Sequence, residues 1–154
     1  MIPWLRVPGL TLALAMLCGL IACSETLTTE QKIIVAIREM ESKLEAGERR
    51  SFMEHISEDF QAQGGSLNRE QVRALVIFQL NRHKQLQAQL FPISVGQTDE
   101  HTATAVFRAL ITGGPRWIPD SGQIFEFNTQ WEWSEGEWLL SAASWDPVSL
   151  EDAL

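Results

Sequence analysis

From Ile33 to Leu44, apolar residues return every three to four positions (Ile33, Ile34, Ile37, Met40, Leu44), the spacing that lines one face of an α-helix. Thr28 opens this run and Gln31 follows three residues later, a pairing in which each side chain caps the other residue's backbone N–H. Gly47 suits the left-handed residue that ends a helix, so the pattern predicts a helix over 28–46. A shorter helix is expected over 48–57, with Phe52, Met53 and Ile56 turned inward, and Asp59-Phe60 then leads into a short strand ending at Gly64-Gly65. The next helix start is the strongest: Leu67, Asn68, Gln71 and Val72 combine staple, cap and box. That helix runs to about His83 with Val72, Leu75, Val76 and Leu80 on one face. Arg82, His83 and Lys84 complement the negative end of its dipole.

Beyond Gln85 the period falls to two. Leu86, Ala88 and Leu90 alternate with glutamines as far as Pro92, which lacks the N–H that a ladder needs and so marks a bulge or an edge. A long strand is predicted over 101–111, and Gly113, Gly114, Pro115, Pro119 and Gly122 mark a loop. Phe125, Phe127, Thr129, Trp131 and Trp133 then alternate with Glu126, Asn128, Gln130 and Glu132, the chain turns over 134–137, and 138–145 returns alongside. Such alternation describes a sheet with one covered face and one face left to water or to a partner. It assigns Phe125, Phe127, Thr129 and Trp131 to the covered face, with Ser141, Ala143 and Trp145 from the next strand. Ala103, Ala105, Phe107 and Ala109 join them from the strand before. Small residues opposite large aromatics permit a cavity, but solid packing is the rule for cores and is the expectation.

The 154 residues suffice for one domain. Of the 12 basic residues only Arg6 precedes Cys23, so the chain from Cys23 onward carries 20 acids and 11 bases, a formal −9. That balance repels a polyanion at long range, and no Lys/Arg-rich face offsets it, so nucleic acid is not an expected partner. The two cysteines, Cys18 and Cys23, both belong to the N-terminal run, which leaves the folded part without a disulfide or a thiolate.

That N-terminal run has the layout of a secretory signal: a start carrying Arg6, an apolar stretch from Val7 to Leu17, then small residues. Val7 to Ala22 is 16 residues, short of the roughly 20 that a membrane-spanning helix needs. Leu20-Ile21-Ala22-Cys23 resembles the lipobox of bacterial lipoproteins. The resemblance implies a diacylglyceryl thioether on Cys23, cleavage before it, and acylation of the new amine with palmitate-like chains. Two or more such chains anchor stably where one is marginal. Ser24 stands where an aspartate would imply inner-membrane retention in a Gram-negative cell, so an outer-membrane lipoprotein facing the periplasm is expected. The layout is then a signal over 1–22, a lipidated tether over 23–27, a domain over 28–147 and a tail over 148–154.

Helix, helix, short strand, helix and a four-strand meander make an α+β order. Together with Leu44-Glu45-Ala46-Gly47-Glu48, Ser57-Glu58-Asp59-Phe60 and the stretch from Trp131 through Gly136 and Trp138 to Trp145, it resembles the nuclear transport factor 2-like superfamily. The resemblance covers roughly 28–147. It implies a cone in which three N-terminal helices pack on a curved antiparallel sheet, and it marks Phe107, Phe125, Phe127, Thr129, Trp131, Ser141, Ala143 and Trp145 as candidate pocket lining.

Isomerases of this superfamily use a carboxylate base and an oxyanion site of a tyrosine with a protonated aspartate. This chain has no tyrosine, and Gly64 and Thr129 fall near the two acid positions. The epoxide hydrolases of the superfamily need an arginine between aspartates in the pocket, whereas Arg108 alternates with Phe107 and faces outward. His55, His83 and His101 are too scattered for a metal site, and Ser141 and Ser144 lack the elbow that exposes a nucleophile. No catalytic residue, metal or cofactor is therefore assigned. Three readings follow: an anchored, non-catalytic domain taking an apolar small molecule or a protein partner; a lyase or isomerase of the ketosteroid isomerase or scytalone dehydratase type with other residues; and a structural subunit that pairs as a homodimer through the Glu126, Asn128, Glu132 face of its sheet.

Overall fold

The computed structural model describes residues 26–83, 85–113 and 121–149. Signal, Cys23 and most of the tether lie outside the described residues, as do Lys84, Gly114, Pro115, Pro119 and the end of the tail.

Helix α1 spans Thr29–Glu45 and turns Ile33, Ala36, Ile37 and Met40 inward. Its start is the capping box: Gln31 N–H donates to Thr28 Oγ1 at 3.2 Å, and Thr28 N–H donates to Gln31 Oε1 at 2.9 Å. Gly47 follows at φ 71°, the left-handed geometry that releases the chain into α2, Arg49–Glu54. The second helix is shorter than its spacing predicts. Leu140 N–H donates to His55 O at 2.9 Å, and strand β1, Ile56–Ala62, begins at once. Ile56 and Ser57 therefore belong to the sheet. Strand β2, Leu67–Asn68, folds back on Gln61 and Ala62. Asn68 then caps α3, Arg69–Arg82, through a second capping box with Gln71.

The strands that follow are β3 (Leu86–Leu90), β4 (Ser94–Gln97), β5 (Thr102–Gly113), β6 (Ser121–Ser134) and β7 (Glu137–Val148). Their order in the sheet is β2-β1-β7-β6-β5-β3, with β4 also on β5. The expected strand around Pro92 is two edge pieces: Leu90 faces Ala109 and Ser94 faces Val106. Three residues of the edge thus oppose two of β5, a bulge at the one residue that cannot donate to the ladder. The sheet is antiparallel except where β1 lies parallel to β7, Ile56 beside Leu140 and Ala62 beside Ala143. No turn joins those two strands, so nothing local marks their pairing.

The core runs from Ile33 to Ala143 and unites all three helices with β1, β5, β6 and β7, so a chain beginning after Cys23 keeps every residue of it. Arg69 ties the helical layer to the sheet by donating from Nε to Ile56 O and from Nη2 to Met53 O. Lys32 Nζ sits 5.0 Å from the Trp133 ring centroid and fixes the start of α1 to the β6–β7 hairpin. At the β4–β5 turn, backbone N–H groups of His101 and Thr102 donate to Asp99, and these bonds hold its carboxyl below the ordinary range. Along α3, Val72 is buried while Leu75 and Phe78 are 38% and 56% exposed. Leu75 therefore leaves the face that its spacing assigned it. Among the described residues no helix is long and apolar enough to cross a membrane.

The end of α3 abuts β5 closely. A Cβ added to Gly113 would stand 2.3 Å from His83 Nδ1 and 2.8 Å from its Cγ. Gly113→Ala is therefore expected to cost about 1–3 kcal/mol, seen as a lowered Tm. The paired variant with His83→Ala should recover most of the loss, since the three nearest atoms to the added Cβ all belong to that ring.

Candidate functional site

The covered face of the sheet is assembled by register. Phe107 faces Phe127, which faces Trp145, and Ala105 faces Thr129, which faces Ala143. The Phe107 and Phe127 rings stack at 5.2 Å and 12°, and Trp145 tilts against Phe127 at 6.3 Å. Trp145 is held from the other side by Gln63, whose amide donates to Trp145 O at 2.9 Å and accepts its N–H at 3.4 Å. A side chain thus continues the pairing of β1 with β7 past the end of β1, at the Trp145 backbone.

Between this face and the helices lies a cavity of about 160 Å³. Alanines at 88, 109 and 143 stand beside the aromatics there, and the space they leave is not refilled by α1, which contributes Ile37, Met40 and Leu44. Sequence reasoning expected solid packing; the structure holds a cavity above a packed base of Ile33, Ala103 and Ala105. Phe107, Phe127, Thr129, Trp131, Ala143 and Trp145 line it. Phe125 and Ser141 do not. Phe125 lies further along the face, its ring 6.3 Å from Phe127 and its register partners Ala109 and Pro147. Ser141 is displaced by a β-bulge: Gln130 pairs with Ala142, but Trp131 pairs with Leu140. The alternation of β7 slips by one there, so Leu140 takes the inward place and the Ser141 hydroxyl donates to Gln130 O at 3.2 Å.

Two polar groups on this wall are engaged with each other. Thr129 Oγ1 donates to Ala105 O at 2.7 Å and accepts Trp131 Nε1–H at 2.9 Å, with both residues buried. Thr129 is thus a structural link, and Gly64, at φ 67° in a short 3-10 turn, lines a groove on the opposite face of the sheet. Among the described residues, Glu41 is the one titratable side chain lining the cavity. Its side chain is 17% exposed, and Arg38 holds its Oε2 at 3.2 Å from the solvent side. Sequence reasoning passed over Glu41. The signal was its spacing, four residues after Ile37 and three before Leu44, which puts a carboxylate on the edge of an apolar stripe.

The remaining candidates lie elsewhere. Arg108 pairs with Glu126 at 3.0 Å on the outer face, and Ser57 Oγ donates to Glu132 there at 2.5 Å. His55 approaches Glu39 at 3.8 Å, His83 packs on Gly113, and His101 is exposed. Among the described residues no three His, Cys, Asp or Glu side chains gather where they could hold one ion.

No family model matches the sequence, and no curated protein is similar to it in sequence. In fold it is similar to a candidate scytalone dehydratase from Novosphingobium aromaticivorans, 10% identical with a TM-score of 0.68, over 78% of this chain and 84% of that one. It is likewise similar to a candidate dehydratase of the NTF2-like family from Streptomyces avermitilis, 14% identical with a TM-score of 0.66, over 78% and 97%. The protein Bd1075 of Bdellovibrio bacteriovorus is 11% identical with a TM-score of 0.67 over 78% of this chain, which spans only 41% of that longer protein. The fold is the nuclear transport factor 2-like, or cystatin-like, cone. At these identities the likeness extends to the fold and no further.

Proposed function

We propose that this chain is a lipid-anchored protein of the bacterial envelope, held through Cys23 at the periplasmic face of the outer membrane, whose domain takes an apolar small molecule into its cone. The observation that carries the ligand reading is the wall: aromatic and aliphatic apart from Thr129 and Glu41, with the Thr129 hydroxyl and the Trp131 indole N–H bonded to one another. An apolar guest gains burial and dispersion there and leaves no polar group orphaned. The anchor rests on Leu20-Ile21-Ala22-Cys23 at the end of the apolar stretch. A lyase reading draws on the names of two proteins of the same fold, but proton transfer of that kind needs titratable groups converging on one space. Glu41 is the one such group that the described residues bring to the cavity. A protein partner is the second reading, favoured by Leu75 and Phe78 on the open side of α3, a helix whose apolar residues are not confined to one face.

Toluene tests the ligand reading. Added to the chain beginning at Ser24, it is expected to shift the emission of the cavity tryptophans, Trp131 and Trp145, saturably. Ala109→Leu, whose added carbons occupy the same space, is expected to abolish the saturation while the fold persists. A linear, non-saturating response in both proteins would remove the cavity from the account.

A further inference from the structure

We propose that the cavity takes single-ring aromatic hydrocarbons and excludes both fused rings and rings bearing a hydrogen-bonding group, with the alanines at 88, 109 and 143 setting its size. This rests on the cavity being a ligand site, and goes on to name the class of guest. The space comes from the sheet. Ala88 faces Ile111 and Ala109 faces Leu90, so two of the alanines stand on neighbouring rungs of β3 and β5. Ala143 stands beside Thr129 on β7. The volume of about 160 Å³ is close to the roughly 150 Å³ apolar cavity that admits benzene. One ring fits. The long strands beneath are paired on both sides and the base is packed, so the space does not widen for a second fused ring.

The wall sets the second limit. Phe107, Phe127, Trp131 and Trp145 line it, and an aromatic guest gains ring-to-ring contacts there that a saturated ring of the same size does not. Polarity sets the third. The cavity presents almost no polar surface. Glu41 lends it an aliphatic stem, while Arg38 holds the carboxylate at the solvent side. The Thr129 hydroxyl donates to Ala105 O and accepts the Trp131 indole N–H, so both groups are spent within the wall itself. A hydroxyl carried in by the guest would leave water and meet no partner, the costly direction for a hydrogen-bonding group.

The test is a series on the chain beginning at Ser24, with toluene as the reporter in ligand-detected NMR and phenol, methylcyclohexane and naphthalene as competitors. Phenol has nearly the size of toluene, with a hydroxyl in place of the methyl, and is expected to bind about tenfold or more weakly. Methylcyclohexane is expected to bind about threefold more weakly or worse. Naphthalene is expected not to displace toluene from the wild type. Ile111→Ala removes three carbons from the wall opposite Ala88 and is expected to let naphthalene compete. Toluene bound while phenol, methylcyclohexane or naphthalene binds as tightly would overturn the class and leave the cavity reading intact. No saturable toluene binding overturns both. The wild-type series decides the matter even if Ile111→Ala fails to fold.

Discussion

Trp131→Ala is expected to cost about 4 kcal/mol, the range for removing a large aromatic side chain from a packed core. Trp131 is 1% exposed and, with Ile33, is one of the largest fully buried side chains among the described residues. It stands in register between Ala103 and Leu140, so two strands lose their shared packing partner at once. The space vacated opens into the existing cavity, and the surrounding sheet cannot collapse into it because its backbone is fixed by pairing on both sides. Thr129 is not left orphaned, since its hydroxyl still donates to Ala105 O, so the loss is one of packing. With a urea dependence of about 2 kcal/mol/M for a domain of this size, the midpoint should fall by about 2 M at unchanged slope. Trp131→Phe keeps most of the volume and should lose well under half as much. A Trp131→Ala midpoint within about 0.3 M of the wild type would mean that the indole is not central to this core.

Cys23→Ala is expected to reduce incorporation of an alkynyl palmitate to background in cells expressing the full chain. The thioether needs the thiol of that residue, and Cys18 follows Leu17 where the lipobox has a small residue before its cysteine. Each buried CH₂ of an acyl chain contributes about 0.8 kcal/mol, so two or three chains bind a bilayer far more tightly than any contact the small domain could add. The wild-type mature protein should begin at Cys23 and carry the added acyl mass, while the variant retains residues 1–22. Undiminished label in Cys23→Ala, or a wild-type protein whose first residues are intact, would sink the anchor.

The parts of the fold that could be read from the chain alone are those fixed by residues close together in it. Both capping boxes, Thr28 with Gln31 and Asn68 with Gln71, are three-residue matters, and both form as read. The alternation of Phe125 to Trp131 needs only the pleat of one strand. The covered face was legible on β6, which is regular along these positions although Phe125 stands beyond the cavity, and the reading failed on β7 at Ser141. A bulge depends on how two strands are matched, and the spacing within either one does not contain it.

The α+β order, the helix starts and the covered face of the long strands were thus settled by local chemistry: caps, period and turn residues. Tertiary structure alone decided that β1 runs parallel to β7, that Leu140 replaces Ser141 on the inner face, and that alanines on three strands leave room beside the aromatics. It also brought Glu41 to the rim of that room. Each of these depends on side chains tens of residues apart meeting in one place, and the free energy that selects the meeting is burial, which has no direction along the chain.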